Sequence, residues 1–560
     1  METNMEIKKL SSTLSVSEQI SAADISQIAS LGYKAIICNR PDGEGVDQPG
    51  EQEIAQAAAV AGLTFRYLPV ESGKVTDEQG VQFGALMDDL PKPVLAYCRT
   101  GMRCTTMWAL SQAKQLPFAE IIETAAKAGY DMKALVRRIA NGGRTPIEVT
   151  DATHDIVIVG GGAAGISVAS SLLARQSGLD IAIIDPADIH YYQPGWTLVG
   201  GGVFDPSTTA RTMASVLPNG VHWIKAAVAA FEPERNAVIL DGCRVVSYKF
   251  LVVCPGLKLD WQAIEGLSET LGRNGVTSNY RYDLAPYTYE LVRNLKGGKA
   301  IFTQPPMPIK CAGAPQKAMY LSADNWRLAG VLNKIDIQFC NAGAALFGVA
   351  DYVPALMEYV KEYNIHLNFG RNLVSVDGPA RMAKFVQTDS NGGKEVITMP
   401  FDMLHVVPPQ KAPDFVRVSP LADAAGWVDV DPATLQHKKY SNVFGLGDVT
   451  NTTNAKTAAA ARKQAPVVAH NVLVQKEIFD KPVHYDGYGS CPLTVELGKI
   501  VLAEFTYGGK VAPTFPKWFI NGTRPSRLAW YLKERILPPV YWSAMLKGKE
   551  WFAQPEMTDK

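Results

Sequence analysis

Three things are scarce in this 560-residue chain, and each scarcity removes a class of function. Net charge is absent: 55 basic residues balance 55 acidic ones, so no overall field draws the chain onto nucleic acid. Long apolar runs are absent too, and no stretch of about 18 apolar residues offers a membrane span. The first residues, "METNMEIKKLSS", lack the apolar core of a secretory signal, which predicts a cytoplasmic protein. Cysteine is sparse: eight residues over the whole length and no Cys-x-x-Cys pair exclude a disulfide scaffold and give no zinc signature. No metal site is expected. Each cysteine is then either a small buried hydrophobe or chemistry.

What is present suits a folded chain with room for two or three cores, with 47% hydrophobic and 20% charged residues. There is no internal repeat and no low-complexity segment. One composition shift stands out, "ANGGRTPIEVTDATHD" from Ala140 to Asp155, between the helical pattern "MKALVRRI" and the apolar strand "IVIVG". It reads as a linker. The predicted division is a small domain over 1–142, a linker over 143–153, a larger domain over 154–485 and a distinct C-terminal region over 486–560. In the small domain, the strand-like "YKAIICN" and "PVLAYC" are separated by helix-like segments, which predicts βα alternation around a parallel sheet. The predicted fold class is α/β throughout.

The larger domain opens with "IVIVGGGAAGISVASSLLA" followed by "LDIAIIDP". Gly160, Gly162 and Gly165, with Ala163 and Ala164 between them, lie where a strand turns into a helix, and Asp185 ends the next strand. This arrangement suits a dinucleotide: a tight turn, close approach to a pyrophosphate, a helix N-terminus for its charge, and an acid for the ribose. The bland alternative is a glycine-rich turn in an ordinary βαβ unit, but the full strand–turn–helix–strand context argues against it. Far downstream, "VFGLGDVTN" sets Gly447 and Asp448 after an apolar strand, as flavoproteins with two dinucleotide domains do to close an FAD site. Where a second, nicotinamide-binding fingerprint belongs, "IQFCNAGAALFG" has Ala342 in place of the first glycine, and no acid follows. The expectation is therefore an FAD site without a regular NAD(P)H site, with electrons entering from another donor.

Four further motifs are specific: "HYYQPGWTLVGGG" from His190, "PIKCAGAPQKAMYL" from Pro308, "NAKTAAA" from Asn454 and "YDGYGSCPL" from Tyr485. In this order they resemble sulfide:quinone oxidoreductase, in the branch that includes the animal mitochondrial enzyme, over roughly residues 154 to 552. The resemblance implies a two-dinucleotide-domain (Rossmann-like) flavoprotein that oxidises sulfide to sulfane sulfur and passes electrons through FAD to a membrane quinone. It implies that Cys311 and Cys491 form the redox pair, with the persulfide on Cys491 and Cys311 bonding to the flavin ring. Gln193, Val228 and Lys456 match FAD contacts, and Lys456 would stabilise negative charge on the reduced ring. Cys243, Cys254 and Cys340 are read as buried hydrophobes. Gly195 and Val449 depart from the family pattern.

Between Lys517 and Lys549 lie seven basic residues, one acid (Glu534) and six aromatics (Trp518, Phe519, Trp530, Tyr531, Tyr541, Trp542). Such a segment can lie in a membrane interface or pack on the protein or on a second copy, leaving a homo-oligomer open. The family resemblance favours peripheral association with the inner face of the cell membrane.

In the small domain, "YCRTGMRC" places Arg103 five positions after Cys98, a Cys-x4-Arg loop. A tyrosine-phosphatase loop is one residue longer, whereas rhodanese-type sulfurtransferases use this shorter loop to carry a persulfide. Backbone amides, a helix N-terminus and Arg103 would lower the Cys98 pKa, and Gly101 lets the loop fold back. The domain, especially "IICNRPDGEGVDQPGEQEI", resembles a family of phosphatase-like fold found beside sulfide-oxidation enzymes and described as a sulfurtransferase. A phosphatase's general acid is missing: Glu71-Ser72 stands there, and the nearest aspartate is Asp77. Asp42 is a candidate polar partner for the loop, or a turn residue. Cys104 is either a resolving thiol or, as preferred, buried at the helix start. The expected whole couples sulfide oxidation to persulfide transfer through Cys98, with a small thiol, sulfite or another sulfide as final sulfur acceptor. The rivals are a tyrosine phosphatase fused to a flavin oxidoreductase, a sulfide or redox sensor, and an NADH:quinone oxidoreductase.

Overall fold

The computed structural model describes residues 5–146, 150–389 and 392–555. They form two compact units: Met1–Thr153 with Ala227–Ser247 and Val418–Pro420, and His154–Ala226 with Tyr248–Arg417 and Leu421–Lys560.

In the first unit the sheet order is Ile7–Lys9, Leu14–Ser17, Val94–Tyr97, Ala35–Cys38, Thr64–Tyr67. Only the first pair is antiparallel. Successive residues of a strand face opposite sides, so each central strand feeds two cores. Val94 and Ala96 pack with Phe83, Met107, Trp108 and Ile121. Leu95 and Tyr97 pack with Ile28, Ile54 and Ala58 on the other side. Helices on both faces explain why Val94–Tyr97 is apolar at every position. The helix Asp77–Asp89 starts at a capping box, in which Thr76 and Gln79 satisfy each other's backbone N–H groups. The strand Thr150–Val159 begins inside the stretch read as linker, where the β-branched Thr153 favours extended backbone. Residues 147–149 of that stretch lie outside the described residues.

In the second unit, Ile156–Val159 pairs in parallel with Ile181–Ile184, which pairs in parallel with Val221–Ile224. Leu251–Val253 runs parallel to Val443–Gly445. The helix Ala163–Arg175 packs against the long helix Ala458–Gln475. A second, wholly parallel sheet follows the order Val276–Thr277, Met403–His405, Gly298–Gln304, Ile335–Asn341, His366–Phe369. A three-stranded antiparallel sheet and the hairpin Gly489–Glu496/Lys499–Phe505 complete the strands that matter here. The C-terminal helical stretch runs Arg527–Tyr531, widens to a π-type turn over Leu532–Ile536, and continues as Leu537–Ser543. Pro538 and Pro539 cannot donate backbone hydrogen bonds, which accounts for the widened turn before them. Among the described residues, no helix is long and apolar enough to cross a membrane.

Candidate active site

A cavity of about 860 Å³ opens in the second unit, and its floor is the glycine turn after Ile156–Val159. Gly160 has φ +109, a conformation only glycine adopts cheaply. A β-carbon at Gly165 would sit 1.8 Å from the Gly160 carbonyl oxygen, so Gly165 sets the close approach of helix to turn. A β-carbon at Gly162 would meet nothing within 4 Å: that glycine faces open cavity. Ala163 and Ala164 begin the helix and line the same wall. The Asp185 carboxylate accepts from the Gly161 N–H at 2.6 Å and from the Ala187 N–H at 2.8 Å. Each of its oxygens keeps a lone pair for a ribose hydroxyl. Gly447 and Asp448 lie on the cavity wall, and burial pushes the Asp448 carboxyl above its ordinary value.

Gln193, Lys310, Cys311 and Lys456 also line this cavity. Lys310 Nζ donates to Gln193 Oε1 at 2.6 Å. The Lys456 ammonium donates to the Thr450 carbonyl at 2.7 Å and lies 4.4 Å from the centre of the Trp427 ring. Burial lowers its pKa to about 8. Val228 opens the strand Val228–Glu232, which groups with the first unit.

Cys311 and Cys491, 180 residues apart, bring their sulfurs to 4.0 Å. Cys311 stands just before the helix Ala314–Leu328 with φ +47, an uncommon conformation for a residue with a side chain, as befits a functional position. Cys491 lies on Gly489–Glu496 and is buried. The Lys317 ammonium, in the first turn of the helix and itself buried, donates to Cys311 Sγ at 3.3 Å. Cys311 is held well below the ordinary thiol value by the Cys491 hydrogen bond and by the Lys317 charge, against the opposing effect of burial. Cys491 is pushed up by donating that bond and by burial. The Lys317 charge thus favours the anion on Cys311, which faces the cavity, and leaves the shared proton to Cys491 behind it.

The second fingerprint region closes on itself. Asn341, the last residue of Ile335–Asn341, accepts from the Gly343 N–H at 2.8 Å and donates to the Ala345 carbonyl at 3.0 Å. The next helical turn begins only at Ala350. An amide that would greet a pyrophosphate is thus already satisfied.

The cavity has an apolar end built by Phe515, Leu532, Ile536, Leu537 and Val540. Tyr541, from the same C-terminal stretch, bonds His190 Nε2 at 2.7 Å, and His190 Nδ1 reaches the Gly161 carbonyl at 3.1 Å. Lys533 donates to the Pro194 carbonyl at 2.8 Å, and burial brings its pKa to about 7.

In the first unit, Val94–Tyr97 ends at Cys98, and the loop turns through Gly101 at φ +82 into the helix Met102–Gln112. A β-carbon at Gly101 would strike the Tyr130 hydroxyl at 2.0 Å. Cys98 is buried and its Sγ accepts from the Gly101 N–H at 3.1 Å. Its pKa is lowered to about 5, first by the hydrogen bond from Cys104 and then by loop amides, against burial. Cys104 is fully buried, and its own pKa is pushed well up by burial. It is therefore both a core residue and a hydrogen-bond donor to Cys98. Arg103 is gripped from outside the loop: Nη1 and Nη2 donate to Glu44 at 2.9 and 2.7 Å, and Nη1 donates to the Val70 carbonyl at 2.6 Å. Asp42, the sequence's candidate polar partner for the loop, instead accepts from the Glu51 N–H at 2.9 Å, at the start of Glu51–Val60.

Comparison with known proteins assigns both units. Residues 6–115 match the family model of the Beta-lactamase hydrolase-like protein, phosphatase-like domain, and residues 154–293 match Pyridine nucleotide-disulphide oxidoreductase. The chain is 44% identical over 402 residues to the mitochondrial sulfide:quinone oxidoreductase of Dictyostelium discoideum, covering 71% of this chain and 87% of that one. The chain belongs to the sulfide:quinone oxidoreductase family. The fold agrees: the sulfide:quinone oxidoreductase structure from Aquifex aeolicus superposes with a TM-score of 0.59 at 20% identity, over 73% of this chain and 98% of that one. The N-terminal part is 30% identical over 135 residues to a Beta-lactamase hydrolase-like protein of Agrobacterium fabrum, covering 24% of this chain and 31% of that one. The chain is therefore an N-terminal phosphatase-like domain joined to a Rossmann-like oxidoreductase of the sulfide:quinone oxidoreductase family.

Three groups escaped the sequence reading. Lys317 follows Cys311 by six residues, within a motif already singled out, and its spacing on a helix was the available signal. Glu44 precedes Arg103 by 59 residues, and nothing local joins them. His154, Asp180 and His222 place their ligand atoms within 4.8 Å of one another, a grouping able to hold a metal ion where no metal site was expected.

Proposed function

We propose that the second unit oxidises sulfide at the Cys311/Cys491 pair and passes two electrons through FAD to a membrane quinone, while Cys98 of the first unit takes up the sulfane sulfur. One observation carries the reading: two thiols 180 residues apart meet at 4.0 Å, one of them on the wall of a cavity floored by a dinucleotide turn. The open face of Gly162, the free lone pairs of Asp185 and the length of the cavity suit FAD, held by Gly160, Gly162, Ala163, Ala164, Gly165, Asp185, Gln193, Gly447, Asp448 and Lys456. FAD bound there supplies the two-electron acceptor for re-forming the cysteine bridge.

Hydrosulfide attacks the bridged pair at the sulfur of Cys491; the bridge bond breaks, Cys491 carries –S–SH, and Cys311 leaves as a thiolate. Lys317 holds that leaving thiolate. A small thiolate or sulfite then takes the outer sulfur and leaves Cys491 as thiolate.

The apolar cavity end formed by the C-terminal stretch suits a quinone ring and tail. Trp518, Phe519, Leu528, Tyr531 and Ile536 are exposed in the same stretch, as a surface resting on the membrane at its cytoplasmic side would require. In purified full-length protein, sulfide-dependent reduction of a short-chain quinone should fall at least a hundredfold in Cys311→Ala and Cys491→Ala. Cys98→Ser should leave it intact and suppress sulfur transfer to a thiol. Undiminished turnover in either of the first two variants would overturn the assignment. The phosphatase-like family of the first unit favours one second reading, phosphate-ester hydrolysis, and release of phosphate from an aryl phosphate by the full chain tests it.

A further inference from the structure

Away from both cysteine sites, one cluster of metal-ligating side chains has no part in the chemistry above. His154 lies in the strand Thr150–Val159, Asp180 immediately precedes Ile181–Ile184, and His222 is the second residue of Val221–Ile224. These three strands are neighbours in one sheet and run parallel. The cluster sits at their starts, whereas the glycine turn and Asp185 follow their ends, and none of the three residues lines the cavity. Backbone orients the carboxylate: Asp180 Oδ2 accepts from the Asp155 N–H at 3.2 Å. Its Oδ1 then faces both imidazoles, 2.7 Å from His154 Nδ1 and 4.0 Å from His222 Nε2. The two rings lie side by side with their centres 5.1 Å apart. Lys249 and Lys476 are engaged by the next acid, Asp155, at 2.7 and 3.1 Å, which leaves Asp180 to the histidines.

We infer that His154, Asp180 and His222 bind one divalent transition-metal ion of the zinc class, which ties three neighbouring strands of the dinucleotide-binding sheet together at their starts. Two imidazoles and one carboxylate are the donor set of zinc and its neighbours, whereas magnesium and calcium take oxygen ligands throughout. Zinc holds such nitrogens and oxygens at about 2.0–2.2 Å, so adjacent ligands of a tetrahedral site stand roughly 3.3 Å apart. The observed separations from Asp180 Oδ1, 2.7 and 4.0 Å, straddle that value, and each changes by only about 0.7 Å as the ligands close round an ion. The ion takes the place of the proton between His154 Nδ1 and Asp180 Oδ1, which leaves to solvent. His154 anchors the inner side with its side chain 14% exposed, and His222, 67% exposed, closes the site from solvent. Water fills the fourth position.

The test dialyses full-length, tag-free, flavin-loaded protein against Zn²⁺ and counts zinc per chain. Wild type should retain one zinc more than His222→Ala and Asp180→Asn, whose affinity for that ion should be at least tenfold weaker. His222 is exposed, and Asp180→Asn keeps the oxygen that meets the Asp155 N–H, so both variants should fold; unchanged flavin content and circular dichroism check this. Zinc should also raise the Tm of wild type by a few degrees and leave that of His222→Ala where it was. Cobalt separates this site from the thiols. Co²⁺ held by His and Asp gives visible ligand-field bands without the near-ultraviolet sulfur-to-metal band that a thiolate ligand adds. Equal zinc in wild type and His222→Ala overturns the proposal, as does a cobalt spectrum in which every band depends on thiolate. Zinc that binds through these residues without raising the Tm overturns the strand-tying role.

Discussion

Replacing Cys104 by alanine should change the chemistry of Cys98 without touching the loop backbone. Cys98 titrates at about 5, and the largest cause is the hydrogen bond from the buried Cys104 thiol. A lowered pKa means that the thiolate is fully present well above pH 5 and is lost as pH falls through that value. A hydrogen bond to an ionised group contributes about 1.5–3 kcal/mol, which corresponds to about 1–2 pKa units. Cys104→Ala should therefore move the midpoint from about 5 to about 6–7. The assay follows carbamidomethylation of the Cys98 peptide by mass spectrometry across a pH series. In wild type the rate should be flat above neutrality and fall tenfold per pH unit on the acid side. Cys104→Ser, whose hydroxyl can still donate, should keep most of the low midpoint and so separates the hydrogen bond from packing. A Cys104→Ala midpoint equal to wild type would refute the reasoning, as would a wild-type midpoint in the ordinary thiol range.

Lys317→Met removes a charge 3.3 Å from Cys311 Sγ, an interaction of about 5 kcal/mol at an effective dielectric of about 20. The Cys311 titration should move upward, so that sulfide oxidation falls at neutral pH and recovers in alkali, while Lys317→Arg keeps the wild-type profile. Gly313→Ala would place a β-carbon 2.5 Å from Cys491 Sγ and 2.4 Å from Leu493 Cδ2. Such overpacking should cost about 1–3 kcal/mol, seen as a lower Tm and slower reduction by sulfide with flavin content retained. Trp518→Glu combined with Phe519→Glu, both exposed, should abolish co-flotation with anionic vesicles and leave turnover with a water-soluble quinone unchanged.

Local spacing carried much of this architecture. Gly160, Gly162, Gly165 and Asp185 lie within one βαβ unit, where a strand, a turn and a helix fix their relation directly. The Cys98–Arg103 loop was legible for the same reason. Contacts made by folding were not. Nothing in the spacing of Cys311 and Cys491 implies proximity, and only the motifs around each suggested it. Glu44 reaches Arg103 across the tips of parallel strands, whereas the nearer Asp42 is taken up by the start of its own helix. The sequence leaves Cys104 open between core and chemistry. It is buried and also bonds Cys98, because the first turn of a helix can face both the core and the loop before it.

The central claim is that sulfide delivers electrons through the Cys311/Cys491 pair. Anaerobic stopped-flow mixing of the flavin-loaded, full-length protein with sulfide measures it directly. Wild type and Cys98→Ser should bleach the flavin at the same rate, while Cys311→Ala and Cys491→Ala should be slower by at least a hundredfold. Equal bleaching in wild type and Cys491→Ala would contradict the account.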